Sequence, residues 1–521
     1  MAAVGVSLWV SGCADDSAGG QSEEGGSDGS TDSHGGDGTG PGVADGSDTG
    51  AADATGEDTS GDGDTDSDSD TDTTDTETGG APIDWDPQAV PESLRLFPRT
   101  VMAGDMVVDA FVVAIYIADA APKTLRVWQP AADGQQVVLV DEQTLEPDLD
   151  GFAKTRVEGL SSGTWYQYAV FDGEAPDFTD RSLIGDVKTA LGIDQVEPVT
   201  IAFASCIGTG TPLPGFVDPD DPTPQQWPIT DMAESLEFDL LVHLGDQAYM
   251  DTVWQKGADY EQYLAAWGAA HGGGYRKVYP KAGLLVTWDD HEVVDNGTVD
   301  PWTTDEGDQA RILNAKQAWY RVMPIDAADP TTEPVWRGFQ WGEVVEILIL
   351  DTRYERTDEP SLSFMSDAQR QWLHDRLLNS PCRFVCVCTP KPYSDIKMLL
   401  GDYPGAEERW SGHPDDRQGI KDLVNDNDLS HVLWVTGDIH MSYVGVTDRD
   451  DESIAGNMTE VCLTSGNTNP LGEVLSPGQF EFNTSLPRMP VITFDPVSDE
   501  ILIEMYDSSG TVTFDKTLSW A

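Results

Sequence analysis

Basic residues are scarce in this chain. Among 521 residues, 29 are Lys or Arg and 93 are Asp or Glu, which gives a formal net charge of −64. A surface of this sign repels phosphate backbones, so nucleic-acid binding through charge attraction is not expected. An anionic small molecule would have to be held locally, by a cation or by a helix N-terminus.

Long apolar runs are also missing, and no stretch of the sequence is long and apolar enough to span a bilayer. The N-terminus carries a short apolar stretch that ends in Val10-Ser11-Gly12-Cys13. It resembles a bacterial lipobox with Cys13 as the lipidated residue, although no Lys or Arg precedes it. The sequence therefore predicts a lipoprotein signal segment at residues 1–13. It also predicts export and a lipid as the only membrane contact, on the periplasmic or extracellular side of the cell envelope or at the cell surface.

Large apolar residues are nearly absent from residues 14–80 and Lys and Arg are missing, because the segment consists mainly of Asp, Gly, Ser, Thr, Ala and Glu. Such a composition cannot bury enough apolar area to fold, so we predict a disordered, self-repelling tether. Its GDGDTDSDSDTD stretch is rich in carboxylates but lacks the spacing and the bidentate Glu of an EF-hand loop. A solvated spacer is therefore a better interpretation than a calcium site.

Cysteine is scarce as well, with six residues in the chain. If Cys13 carries lipid, five remain, so not all of them can pair. Cys386 and Cys388 alternate along FVCVC and therefore face the same side of a strand. We interpret them as buried thiols, because a zinc site at Cys382, Cys386 and Cys388 lacks further ligands. A Cys388–Cys462 bridge between neighbouring strands stays open.

The chain does contain many short apolar runs that end in polar residues. Five of them are rich in Val, Ile and Leu, which is typical of strands buried on both faces of a sheet. They are VTIAFASC, DLLVHLGDQAY, GLLVTWDDHE, VVEILILDTR and HVLWVTGDIH. Helical stretches at 229–237 and 366–380 alternate with them, which predicts an α/β domain over residues 196–521. Sites in such folds form at the carboxyl ends of the strands, so we expect the polar ends to meet.

Residues 81–195 differ from this pattern, because short β-rich runs are separated only by turn residues. The runs include DAFVVAIYIA, LRVWQP, QQVVLVDE, FAKTRVEG and TWYQYAVFDG. They predict an all-β sandwich domain. The segment GLSSGTWYQYAVF is similar to the strand pair of a fibronectin type III or immunoglobulin-like domain.

One strand-end cluster suggests a transition metal. Asp246 ends an apolar run, and Tyr249 follows three residues later, so both side chains can reach one cation. A phenolate ligand favours ferric iron, and the thiolate of Cys206 at the end of another run also favours a transition metal. An inert buried thiol would be the alternative for Cys206 if it stood alone.

Two further clusters follow other runs. Asp289, Asp290 and His291 end one of them, and Asp438 and His440 end another. Consecutive carboxylates in a core are costly unless they bind a cation or accept hydrogen bonds. Each cluster alone is compatible with a charged surface loop. Their common position at strand ends of one α/β unit favours a shared site.

Taken in order, the motifs FASC, HLGDQAY, TWDDHEVVDN, LDTRYER and TGDIH resemble those of the alkaline phosphatase D (PhoD-like) branch of the metallophosphatases. The segments FPRTVMAGDMVVDAFVV and GLSSGTWYQYAVF are similar to the N-terminal domain of that family. The resemblance implies a four-layer αββα sandwich with two metal ions at the strand ends. It also implies hydrolysis of phosphate mono- or diesters by a hydroxide that the two ions hold.

The same resemblance implies the metal ligands. The first ion, Fe3+, would be held by Cys206, Asp246, Tyr249 and His440. The second ion would share Asp246 and also take Asp290 and Asp438. This oxygen-rich set favours Ca2+, with Mg2+ or Mn2+ as alternatives. Many relatives supply another His after the strand FVCVC, where this chain has Thr389.

The resemblance also implies catalytic roles for three residues. His291 would protonate the leaving oxygen or hydrogen-bond the phosphate of the ester substrate. Asn296 would shape the same loop. Arg353 would contact phosphate, although a strand-end ion pair has equal weight as its role.

Two other functions stay open. A phospholipase-type phosphodiesterase would use the same site, because leaving-group preference depends on loops such as residues 208–228. A non-catalytic surface-binding lipoprotein would carry a degenerate enzyme domain. The filled ligand positions favour an enzyme, and only the missing His favours the degenerate domain. The sequence does not predict the oligomeric state.

Overall fold

The computed structural model describes residues 83–131, 136–207, 228–250, 259–294, 299, 301–327, 332–355 and 363–520. All of these residues fall within one compact unit of the chain. In this part of the chain, no helix is long and apolar enough to cross a membrane. The predicted signal segment with Cys13 and the tether at 14–80 lie outside the described residues.

Residues 83–195 form strands as predicted, and no α-helix occurs among those that are described here. The strands are β1 Met102–Val107, β2 Ala110–Tyr116, β3 Lys123–Pro130, β4 Val137–Leu145, β5 Phe152–Glu158, β6 Trp165–Asp172, β7 Asp180–Arg181 and β8 Gly185–Lys188.

From Val199 onward, strands alternate with helices. The strands are β9 Val199–Ala204, β10 Leu240–Leu244, β11 Gly283–Thr287, β12 Arg337–Trp341, β13 Val345–Ile349, β14 Phe384–Thr389, β15 Lys397–Met398, β16 Gly401–Asp402, β17 Val432–Thr436, β18 Ser442–Val446, β19 Thr459–Cys462, β20 Phe480–Thr484, β21 Met489–Asp495, β22 Glu500–Tyr506 and β23 Val512–Ser519. The helices are α1 Pro228–Ala233, α2 Tyr260–Gly272, α3 Tyr275–Val278, α4 Glu306–Val322, α5 Asp367–Asn379 and α6 Pro414–Asp426.

Two sheets contain the five predicted buried runs. The first sheet has the order β23-β22-β21-β9-β10-β11-β1-β2-β5, and the second has the order β12-β13-β14-β17-β19-β18-β20. Strands β9, β10 and β11 are parallel in the first sheet. Strands β13, β14, β17 and β19 are parallel in the second. Within each sheet, the polar residues after these strands therefore lie at one edge.

Alternating residues along the strands build four layers. Ile201 of β9 and Ile347 of β13 belong to one apolar cluster between the two sheets. Ala202 faces the opposite side of the first sheet and packs with residues of α2 and α4. Leu348 faces the outer side of the second sheet and packs with residues of α5 and α6. The order is therefore helix, sheet, sheet, helix, as predicted. Each large apolar side chain buried in these layers contributes about 1.5–3 kcal/mol.

The first sheet continues across the domain boundary predicted between residues 195 and 196. Strand β1 pairs with β11 in parallel, with Gly104 opposite Leu284. A Cβ atom on Gly104 would lie 2.6 Å from the Leu284 carbonyl oxygen and 2.5 Å from that of Pro324, so only glycine fits there. Strands β1, β2 and β5 thus extend the sheet that contains the candidate site.

The cysteines of the second sheet are free thiols. Cys386 and Cys388 both lie in the apolar cluster between the sheets, as predicted for buried thiols on one face of a strand. The alternative of a Cys388–Cys462 bridge is wrong, because β17 lies between the strands that carry them. The Cys462 thiol instead donates to the carbonyl oxygens of Gly437 and Met441.

Candidate metal centre

The residues predicted to bind the first metal ion meet in one buried cluster. Cys206, Asp246 and His440 follow β9, β10 and β17, and each offers a ligand atom within 4.8 Å of the other two. The Tyr249 hydroxyl lies 3.1 Å from His440 Nε2 and 3.5 Å from Asp246 Oδ2. Cys206 Sγ lies 3.4 Å from the same Asp246 oxygen. The four donor atoms therefore surround a common point.

Sharp turns after the strands direct these side chains into the site. Cys206, Asp246, Asp438 and His440 all have positive φ angles, of 55°, 55°, 69° and 55°. Left-handed backbone costs a non-glycine residue about 1–3 kcal/mol and persists only where the surrounding structure imposes it. Strain of this kind is concentrated at functional sites, which supports a role for this cluster beyond packing.

Glu292 holds the turns after β10 and β11 in place. Its buried carboxylate accepts hydrogen bonds from the backbone N–H groups of Asp246 at 3.1 Å, Gln247 at 2.5 Å and Asp289 at 2.8 Å. Burial, together with the nearby charge of Asp246, raises the pKa of Glu292 to about 8. Glu292 is the last residue of the TWDDHE motif, but nothing in that motif indicates that its carboxylate binds backbone N–H groups rather than a cation.

Asn467 is a further site residue that the sequence analysis missed. Its Nδ2 donates to the Tyr249 hydroxyl at 2.5 Å and lies 3.4 Å from His440 Nε2. Its backbone N–H donates to the Cys206 carbonyl oxygen at 3.3 Å. The surrounding segment TSGNTNP is typical of a turn, so nothing in the local pattern distinguished Asn467 from its neighbours.

The electrostatics of the first cluster fit a bound metal ion. Burial and the neighbouring His291 lower the pKa of His440 to about 3, which leaves a neutral imidazole that can donate a lone pair. Burial raises the pKa of Asp246 to about 7. Among the described residues, Asp246 Oδ1 has no hydrogen-bond partner. A cation would stabilise such a carboxylate, and a mixed sulfur, oxygen and nitrogen donor set suits a transition metal.

A second group of carboxylates surrounds a lysine. Lys391 Nζ lies 2.6 Å from Asp438 Oδ1, 3.2 Å from Asp290 Oδ1 and 3.1 Å from Asp289 Oδ2. Although burial opposes it, the cationic groups of Arg353 and Lys391 hold the pKa of Asp290 well below its usual range. Asp290 and Asp438, the residues predicted to bind the second metal ion, are thus brought together around an ammonium group.

The predicted catalytic residues differ in their surroundings. The His291 ring is buried and lies 4.1 Å from the Tyr249 ring between centroids, with Nε2 3.7 Å from Asp290 Oδ2. Arg353 is also buried, with Nη1 2.6 Å from Glu408 Oε2 and Nη2 3.8 Å from Asp290 Oδ2. These ion pairs match the alternative role given to Arg353. Asn296 lies outside the described residues.

A two-sheet α/β sandwich with such donors at its strand ends has the architecture of the metallophosphatases. A family model described as PhoD-like phosphatase matches residues 225–490, which is over half of the chain. The protein therefore belongs to the PhoD-like phosphatase family.

Individual relatives agree with this family. Alkaline phosphatase D of Bacillus subtilis (strain 168) is 23% identical over 380 residues, which cover 64% of this chain and 60% of that protein. The structure of PhoD superposes with a TM-score of 0.66 at 18% identity, covering 81% of this chain and 89% of the other. The structure of a purple acid phosphatase, PPD1 from yellow lupin (Lupinus luteus) seeds, superposes with a TM-score of 0.57 at 12% identity. The match covers 81% of this chain and 75% of the other. At these identities the structural likenesses establish the fold.

The turn before Asp246 provides a test of how the site is positioned. Gly245 has a φ of +99°, and a Cβ atom there would lie 2.8 Å from Asp289 Cβ. We expect Gly245→Ala to displace Asp246 and Asp289 and therefore to lower the bound metal content. Gly159→Ala is the control, because its φ of +76° is also positive but no atom lies within 4 Å of the added Cβ. Both variants should lose about 1–3 kcal/mol of stability from backbone strain. Equal metal content in the two variants would contradict this view of the turn.

Proposed function

We propose that this protein is a metal-dependent phosphoric ester hydrolase with phosphomonoesterase or phosphodiesterase activity. Family membership supports the proposal, and one observation carries it. The donor atoms of Cys206, Asp246, Tyr249 and His440 converge in a buried cluster, where Asp246 Oδ1 has no hydrogen-bond partner among the described residues. The same filled donor set argues against a degenerate domain that only binds surfaces.

We further propose that the ion held by these four residues is iron. A phenolate from Tyr249 and a thiolate from Cys206 both favour a strong Lewis acid over Mg2+ or Ca2+. The predicted second ion, Ca2+ or alternatively Mg2+ or Mn2+, would need the carboxylates of Asp290 and Asp438. Lys391 lies against both of them.

The surrounding residues are suited to phosphoryl transfer. When bound, the ion supplies Lewis-acid stabilisation of charge on the phosphoryl group and activates the attacking water. His291 lies beside the donor set and close to Asp290, so its imidazole can carry a proton to the leaving oxygen. Asn467 fixes the Tyr249 hydroxyl through its Nδ2. The two sheets bury this machinery, which strengthens each electrostatic interaction within it.

We also propose a location and an N-terminal domain type. The lipobox-like sequence at Cys13 and the acidic composition of residues 14–80 support an exported protein tethered to the cell envelope or cell surface by lipid. For residues 81–195, the strand orders β1-β2-β5 and β4-β3-β6, with β8 beside β6, support a fibronectin- or immunoglobulin-like sandwich.

Tyr249 gives iron a spectroscopic signature. We expect the purified protein to show a visible charge-transfer band from a ferric tyrosinate, and we expect Tyr249→Phe to lose that band. Tyr263→Phe is the matched control, because this buried hydroxyl donates to the Val293 carbonyl oxygen rather than to the donor cluster. A colourless, fully active enzyme that contains only zinc would contradict the assignment of iron.

Replacement of Asp246 and replacement of His291 should change metal content and turnover in different ways. We expect Asp246→Asn to lose bound metal and nearly all turnover, because Asp246 is the central carboxylate of the donor set. Asp351→Asn is the control: Asp351 also follows a strand end, but it accepts hydrogen bonds from the Trp288 indole and from backbone N–H groups.

His291→Ala should keep its metal. Its rate on an alkyl phosphate should fall by about 10²–10⁴-fold, which is the usual value of general acid catalysis. Its rate on a nitrophenyl phosphate should fall much less, since this leaving group needs little protonation. Metal content and turnover of all three variants on both esters test these roles. Retention of metal and rate by Asp246→Asn, or loss of metal by His291→Ala, would show that the roles are assigned wrongly.

A further inference from the structure

Lys391 is a buried cation at the centre of the second carboxylate group. It lies two residues beyond the end of β14, and the side chain is 1% exposed. Its Nζ contacts one oxygen each of Asp289, Asp290 and Asp438, at 3.1, 3.2 and 2.6 Å. The ammonium group donates hydrogen bonds to Asp290 Oδ1 and Asp438 Oδ1, and it forms an ion pair with Asp289.

The backbone keeps Lys391 in this position. The residue lies between Pro390 and Pro392 in the sequence TPKPY, and proline restricts both its own φ angle and the conformation of the residue before it. The Pro390 carbonyl oxygen also accepts a hydrogen bond from the Gly437 N–H at 2.9 Å, directly before Asp438. The lysine and one of its carboxylate partners are therefore fixed to each other through the main chain.

A second metal ion does not fit the same carboxylates well. Such an ion would need the oxygens of Asp290 and Asp438 at about 2.0–2.6 Å, but the ammonium group already lies against both. Asp289 has no role in the predicted two-metal scheme. With Asp246 and Asp290 it offers ligand atoms within 4.8 Å of one another, but Lys391 Nζ lies 3.1 Å from its Oδ2 and 3.2 Å from Asp290 Oδ1.

We propose that the Lys391 ammonium group replaces the second metal ion, so that this site works with one bound metal ion and one cation built into the chain. The inference rests on the proposed hydrolase function. Lys391 holds the carboxylates of Asp290 and Asp438 in place, and it provides the positive charge next to the metal-binding cluster. It follows that the enzyme needs no calcium, magnesium or manganese.

Metal stoichiometry of the full-length protein tests this inference. The variants are Lys391→Ala and, as a matched control, Lys421→Ala, because Lys421 bridges Asp448 and Asp451 at 3.1 and 2.6 Å outside the site. Each protein is dialysed against Mn2+ and, separately, Ca2+. Metal per chain is then measured by mass spectrometry, together with turnover of nitrophenyl phosphate.

We expect one transition-metal ion per chain and no stoichiometric Mn2+ or Ca2+ in the unmodified protein and in Lys421→Ala. Lys391→Ala should lose turnover by about 10²-fold or more. It should gain a second metal site, and added Mn2+ or Ca2+ should restore part of the rate.

Two metal ions per chain in the unmodified protein would overturn the inference whether or not the variant folds. So would a folded Lys391→Ala protein that gains no ion. Turnover without any bound metal would instead overturn the proposed function.

Discussion

The concentration of buried negative charge between the ends of the two sheets is the constraint on which this site depends. Four aspartates and one glutamate are buried there: Asp246, Asp289, Asp290, Glu292 and Asp438. Ionised carboxylates are costly in such a place unless cations or hydrogen-bond donors compensate them. Lys391 and Arg353 provide two fixed positive charges. Three backbone N–H groups donate hydrogen bonds to the Glu292 carboxylate. Asp246 Oδ1, both oxygens of Asp289 and Asp290 Oδ2 still have no hydrogen-bond partner among the described residues.

The architecture explains how residues from distant parts of the chain reach this point. Cys206, Asp246, Asp289, Lys391 and Asp438 each lie two residues beyond the last residue of a parallel strand. Hydrogen bonds from Trp288 to Asp351 and from Thr287 to the Leu350 carbonyl oxygen join the two sheets close to the site, at 2.9 and 2.8 Å. The spacing of the donor atoms is therefore set by sheet pairing and sheet packing rather than by one loop.

Much of this arrangement was predictable because it follows from local patterns. Near-continuous apolar runs identified the parallel strands, and the residues directly after them supplied the first donor set. The sheet order does not follow from these patterns, and for that reason the sequence alone does not exclude a Cys388–Cys462 bridge. The alternation of strands also gave no indication that β1 continues the sheet of β9, β10 and β11.

Lys391 and Asn467 could not be assigned roles for a different reason. Their importance comes from partners in segments far along the chain, which the residues around them do not specify. Like Asp246 and Asp438, Lys391 lies two residues beyond the end of a parallel strand, so its position could be predicted although its partners could not. A lysine after a cysteine-containing strand is not a metal ligand, however, and only its three carboxylate neighbours show its charge to be part of the site.

We propose that the cluster of Cys206, Asp246, Tyr249 and His440 holds the ion required for phosphate ester hydrolysis. The most direct test removes all metal from the purified protein and adds back measured amounts of iron while following turnover of nitrophenyl phosphate. We predict that turnover is lost with the metal, rises in proportion to added iron and levels off at one equivalent per chain without any second cation. Full turnover in the metal-free protein, or recovery that does not depend on iron, would show that this cluster does not hold the catalytic ion.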